Sequence, residues 1–278
     1  MDMLVLGATL ALVIGVVLGM LGGGGAILTL PMLVYVLDVE PRAAIATSLF
    51  VVGVTALVSL FFHARRGHVR YRVGALFGAA AMVGAFAGGR LAHFVPEEVL
   101  LVVFGATMVV TAIFMLRGRG EAPADRRELR VERALLLGFA VGCFAGLVGA
   151  GGGFLIVPAL VLFGGLAMRE AVATSLFVIT LQSFAGFAGH AAHAHLDPVL
   201  VASVTACAAL GSVAGALLGK RVSPENLRRV FAWLVVAMGL FMLGKQLPLP
   251  LLVLVAALAL GVITRPWAAG LPGRPAER

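Results

Sequence analysis

The sequence predicts an all-α polytopic membrane protein made of two homologous, inverted repeats of helices. Three observations predict it. Of 278 residues, 61% are hydrophobic and 12% charged, against about 25% charged in a soluble domain. The apolar residues form long unbroken runs rather than the alternation of a barrel strand. And the chain repeats itself. Sliding it by 127 positions pairs residues 15–116 with 142–243 without a gap, and 36 of the 102 pairs are identical.

The elements follow in order. Residues 3–21 make an apolar segment long enough to span a bilayer. Gly22, Gly23, Gly24 and Gly25 interrupt it, because each glycine costs a helix interior about 1 kcal/mol. A short apolar piece, 26–37, and a turn, 38–42, come next. Residues 43–64, 73–92 and 97–116 form three further helices. The polar stretch 117–133 is the one clear linker. The second repeat, 134–243, reopens on Gly149-Ala150-Gly151-Gly152-Gly153. One extra helix lies within 244–264, and a Pro/Gly/Arg-rich tail, 265–278, is expected to be disordered. The first repeat takes up residues 1–116, and its Met1-Asp2-Met3 start lacks the basic flank of a cleaved signal peptide.

The basic residues set the orientation. The 65–72 loop holds Arg65, Arg66, Arg70 and Arg72, while its repeat equivalent, 192–199, holds no Lys or Arg. In the second half the cluster moves to Lys220, Arg221, Arg228 and Arg229. Basic loops stay in the cytoplasm, so the two halves are expected to be inverted. That needs an odd number of crossings per half. Folding 3–37 as a hairpin that enters and leaves on one side meets this need. A parallel four-plus-four arrangement is the alternative, and it leaves the second cluster outside. The net charge of +8 is explained by these loops, without a nucleic-acid partner.

The doubled pattern carries a resemblance. A glycine-rich stretch ends in Pro31, Ala46-Thr47-Ser48-Leu49 opens the next helix, Gly67-His68-Val69 forms a loop, and the set recurs. From about Leu4 to Leu260 the chain resembles the TauE/SafE family of sulfite and organosulfur-anion exporters. After the His68-Val69 element the chain has Arg70-Tyr71-Arg72, and in the second half Asp197-Pro198, where the family often has an aromatic or acidic residue. The resemblance implies a secondary transporter of the bacterial inner membrane, with no enzymatic activity. Its substrate class is sulfite, sulfonates and other small anions. Small carboxylates, or a non-transporting assembly factor, are the competing readings.

The candidate site is read from the residues. A helix that restarts after a glycine break turns its free N–H groups and positive dipole end toward the break. Small anions bind such ends. Two inverted copies would bring two such ends together near the midplane. The substrate-binding candidates are therefore Gly22, Gly23, Gly24, Gly25, Gly149, Gly151, Gly152 and Gly153. The hydroxyl pairs Thr47-Ser48 and Thr174-Ser175 recur beside them and would line the site. Gln182, an amide inside an apolar helix next to Ser183, needs a partner, either substrate or a neighbouring helix. The competing readings are tight glycine packing and hydroxyls bonded back to their own helices. His63 and His190 could carry protons or anchor helix ends. No residue set calls for a metal or cofactor, and Cys143 and Cys207 read as small buried residues. The expected partners are a small anionic substrate and the lipid bilayer, and a homodimer is left open.

Overall fold

A computed structural model describes residues 2–21, 26–65, 67–117, 131–149, 153–162, 166–191, 194, 196–218 and 224–248, with isolated positions between 250 and 261. The described residues form ten α-helices and a short 3-10 turn over 92–94. The first half contains α1 (Asp2–Leu21), α2 (Ala26–Tyr35), α3 (Pro41–Ala64), α4 (Tyr71–Leu91) and α5 (Glu97–Arg117). The second contains α6 (Val131–Val148), α7 (Gly153–Leu162), α8 (Met168–Ala191), α9 (Pro198–Leu218) and α10 (Pro224–Gln246). The starts of α7, α8, α9 and α10 each fall 127 residues after those of α2, α3, α4 and α5. The linker segment 118–130, most of the expected last helix and the tail lie outside the described residues.

The protein is a multi-pass membrane protein. Among the described residues, α3, α4, α6, α8 and α9 are long and apolar enough to cross a bilayer. Large apolar side chains face outward around them, with Leu136 at 72% and Leu210 at 67% exposure. In water such a surface would be an aggregation hazard. In a bilayer it is the lipid contact.

Two of the seams that join the halves are built from glycine. In the first, α1 packs on α9. A Cβ at Gly15 would collide with the Ala208 carbonyl oxygen, one at Gly19 with that of Ser212, one at Gly211 with that of Leu12, and one at Gly215 with that of Val16. In the second, α4 packs on α6. Gly84 faces the Phe139 carbonyl, Gly88 that of Cys143, Gly142 that of Ala81 and Gly146 that of Ala85. The 127-residue shift maps the first set onto the second, contact by contact. Both seams run parallel, since partner numbers rise together along each pair. Small residues four apart let two backbones approach, and here all four helices supply them. Cys143 and Cys207, on α6 and α9, are partly buried free thiols.

Repeat-related helices pack the other way. Gly53 of α3 faces Phe184 of α8, while the earlier Leu49 faces the later Gly186. Gly105 of α5 faces Leu243 of α10, and Gly239 faces Val109. Both pairs are therefore antiparallel. Gly7, near the start of α1, faces the Leu37 side chain beyond the end of α2. So the α1–α2 segment doubles back to the level where it began.

Candidate functional site

The second glycine break is a helix terminus with a defined geometry. Gly149 takes φ +75° and its N–H donates to the Ala145 carbonyl at 3.0 Å. This is the left-handed glycine stop that ends many helices, and a residue with a Cβ is strained there. A side chain would also strike Ile45 of α3. Helix α7 restarts at Gly153. Gly22, Gly23, Gly24, Gly25, Gly151 and Gly152 lie outside the described residues.

Ser48 holds this turn. Its Oγ lies 2.7 Å from the Gly149 carbonyl oxygen and 2.8 Å from that of Ile45. Its single proton is shared between the two acceptors. The hydroxyl of the first half thus meets the glycine turn of the second. Sequence alone pairs each hydroxyl with the nearby glycines of its own half, and nothing local reveals the exchange.

The structure does not bring the two hydroxyl pairs together, which corrects the expectation of one site lined by both. All four residues are buried. However, α3 and α8 are antiparallel, so each pair sits near the start of its own helix, at opposite ends of the packed couple. Ser48 is level with about Ala188 on α8, thirteen residues beyond Ser175, or roughly 20 Å at 1.5 Å per residue. Thr174 makes a different contact, its Oγ1 accepting the Arg70 N–H at 3.0 Å. Ser175 Oγ donates back to the Val172 carbonyl at 2.8 Å.

Each end also carries an ion pair. Arg70 Nη2 lies 2.6 Å from Glu170 Oε1, joining the α3–α4 loop to the start of α8. The Glu170 hydrogen bond, and then its charge, raise the Arg70 pKa above its already high value. At the other end Arg42 Nε lies 3.1 Å from Glu97 Oε1. Beside it is a small cleft lined by Ile45, Gly89, His93 and His190. His190 Nε2 lies 2.7 Å from the Gly146 carbonyl, and His63 Nδ1 lies 3.0 Å from that of Ser59. Each ring is thus fixed against a backbone oxygen near a helix end.

Gln182 is buried, 1% exposed, at the middle of α8. Its repeat equivalent, Thr55, donates back to the Val51 carbonyl at 2.8 Å. Among the described residues four buried hydroxyls have no hydrogen-bond partner: Thr29, Ser59, Ser183 and Thr205. Such an unpaired group costs about 1–3 kcal/mol. Of these only Ser183 stands out in the sequence, and only as the neighbour of Gln182. Among the described residues no cluster of His, Cys, Asp and Glu could hold a metal ion.

Comparison with known proteins identifies the family. A family model described as "Sulfite exporter TauE/SafE" matches residues 7–242. The chain belongs to the TauE/SafE family of membrane transporters. It is 34% identical over 240 residues to a "Probable membrane transporter protein" of Xylella fastidiosa, covering 84% of this chain and 92% of that one. A relative of the same description from Methanocaldococcus jannaschii is 28% identical over 253 residues, covering 84% and 94%. One from Bacillus subtilis, YdhB, is 27% identical over 214 residues, covering 75% and 85%. No solved structure matches the chain.

Proposed function

We propose that this TauE/SafE protein exports a small anion, sulfite or an organosulfur acid, across the bacterial inner membrane by alternating access between inverted halves. The observation that carries the reading is the antiparallel packing of α3 on α8 and of α5 on α10. A transporter with inverted-topology repeats needs equivalent helices to run in opposite directions, with its site at the repeat interface. Helix restarts after the glycine breaks supply positive ends suited to anions. Thr47, Ser48, Gly149 and Gly153 serve one end of the path. Thr174 and Ser175 serve the other. Export of an anion from a negative interior is favoured by about 2.3 kcal/mol per charge per 100 mV, so a membrane potential alone can drive it.

Flux into or out of proteoliposomes tests this. Sulfite, a taurine-like sulfonate and small carboxylates are offered at a set potential, with and without a pH gradient. The expected result is saturable flux of a sulfur oxyanion that follows the potential. Flux of carboxylates alone would overturn the substrate class. Absence of any anion flux from folded protein would favour an assembly role instead.

A further inference from the structure

The cleft at the Arg42 end of α3 is built from both halves. Arg42 and Ile45 come from α3, Gly89 from the end of α4, His93 from the 3-10 turn, Leu100 from α5 and His190 from the end of α8. His190 is buried. A carbonyl can only accept, so the His190 Nε2 carries the proton donated to Gly146. That bond fixes the ring as a wall of the cleft. Gly89 makes room for it, since a Cβ there would come within 3.1 Å of the ring and 2.9 Å of the Gly186 carbonyl.

The cleft adjoins the glycine turn. Ile45 lines it, and Ile45 is also the side chain that a Cβ at Gly149 would strike. Ser48, which holds that turn, bonds back to the Ile45 carbonyl. The cleft is therefore the mouth of the path end that Ser48 and Gly149 form. The basic Arg70 loop belongs in the cytoplasm, so Arg42, at the opposite end of α3, lies on the outer side.

Arg42 does nothing for the helix that carries it. It sits in the first turn of α3, which has no side-chain cap and no acidic residue in that turn. A cation there opposes the helix dipole, and such departures from local rules gather at functional sites. Its repeat equivalent is Arg169, whereas Glu97 corresponds to Pro224. The arginine thus recurs where this counter-ion does not. Its Nε lies 3.1 Å from Glu97 Oε1 but is not aimed at it, and is buried without a hydrogen bond. The two side chains are 34% and 30% exposed, and a pair as open as this is weak. A guanidinium fork matches two oxygens of an oxyanion.

We propose that this cleft is an outer subsite for the exported oxyanion, sulfite or a sulfonate group, with Arg42 as its cation and Glu97 as the internal counter-ion that the anion displaces. The proposal rests on the anion-export reading and gives its outer end a binding group. The cleft measures about 10 Å³, room for roughly one water, so an oxyanion enters only as Glu97 gives way. When the anion leaves to the outside, the carboxylate returns to Arg42 and closes the mouth.

The test is equilibrium binding of labelled sulfite and of a taurine-like sulfonate to detergent-purified full-length protein, beside proteoliposome flux. Wild type is compared with Arg42→Gln and with Glu97→Gln, which keeps the shape of the side chain and removes its charge. The two variants should move affinity in opposite directions. Arg42→Gln should weaken binding at least roughly tenfold, and flux should fall with it. Glu97→Gln should tighten binding roughly threefold. Should Arg42→Gln fail to fold, Glu97→Gln decides alone. Unchanged or weaker binding in Glu97→Gln would overturn the subsite and leave the export reading standing, because a merely structural pair loses stability from either side without exchanging its carboxylate for an anion. Wild-type binding in folded Arg42→Gln would overturn it equally. Wild type that neither binds nor carries either anion would overturn both readings.

Discussion

The two halves differ where their polar groups are and agree where their backbones touch. The α1/α9 and α4/α6 seams use the same glycines, 127 residues apart, against the same carbonyls. The unpartnered buried hydroxyls and the ion pairs do not repeat. Thr29 answers Ile156, Ser183 answers Ala56, and the Arg70–Glu170 pair corresponds to Asp197 and Ala43. A close backbone seam has one solution, so both copies keep it. Polar groups in lipid are costly and persist only where each has a role, so they diverge.

Substitutions can break this comparison, the seams first. Gly88→Val and Gly215→Val should each cost more than about 3 kcal/mol, above the usual range for overpacking, because a backbone oxygen has nowhere to move. Both variants should lose folded protein on size-exclusion chromatography to a similar degree. A tolerated Gly215→Val beside a lethal Gly88→Val would show that the seams are equal in geometry only. Next in size is Ser48→Ala, which removes the donor to the Gly149 carbonyl. It should cost about 1–2 kcal/mol, read as a drop in melting temperature. Smallest is Glu170→Gln. Its partner is largely exposed, so the stability change should stay below about 1 kcal/mol and shrink further at high salt. A larger effect would mean that this end of the molecule is held shut by that pair.

Much of the architecture is legible in the sequence, for physical reasons. Apolar runs long enough to cross a bilayer can do little but form helices. The start of α2 at Ala26 and of α7 at Gly153 follows from the glycines before them. Even Pro31, inside α2, is tolerated because a membrane helix can have its freed carbonyl met by neighbours. What could not be read is pairing. Nothing near Gly84 announces that its partner is the Phe139 carbonyl. The residues around Ser48 do not reveal that it holds Gly149. Thr47-Ser48 and Thr174-Ser175 look like one site in a self-alignment, yet the antiparallel packing that makes the halves equivalent also separates them. Periodicity and repeats report what is alike; which surfaces meet depends on the whole fold.

Both glycine seams join a helix of one half to a helix of the other. Each half alone therefore presents two stripes of bare backbone, on α1 and α4 or on α6 and α9, with no partner inside itself. Two copies of a single half, inserted in opposite senses, would cover each other's stripes. The covalent link across 117–133 is then a matter of stoichiometry rather than of shape. A chain severed there should reassemble from its two fragments when they are made together.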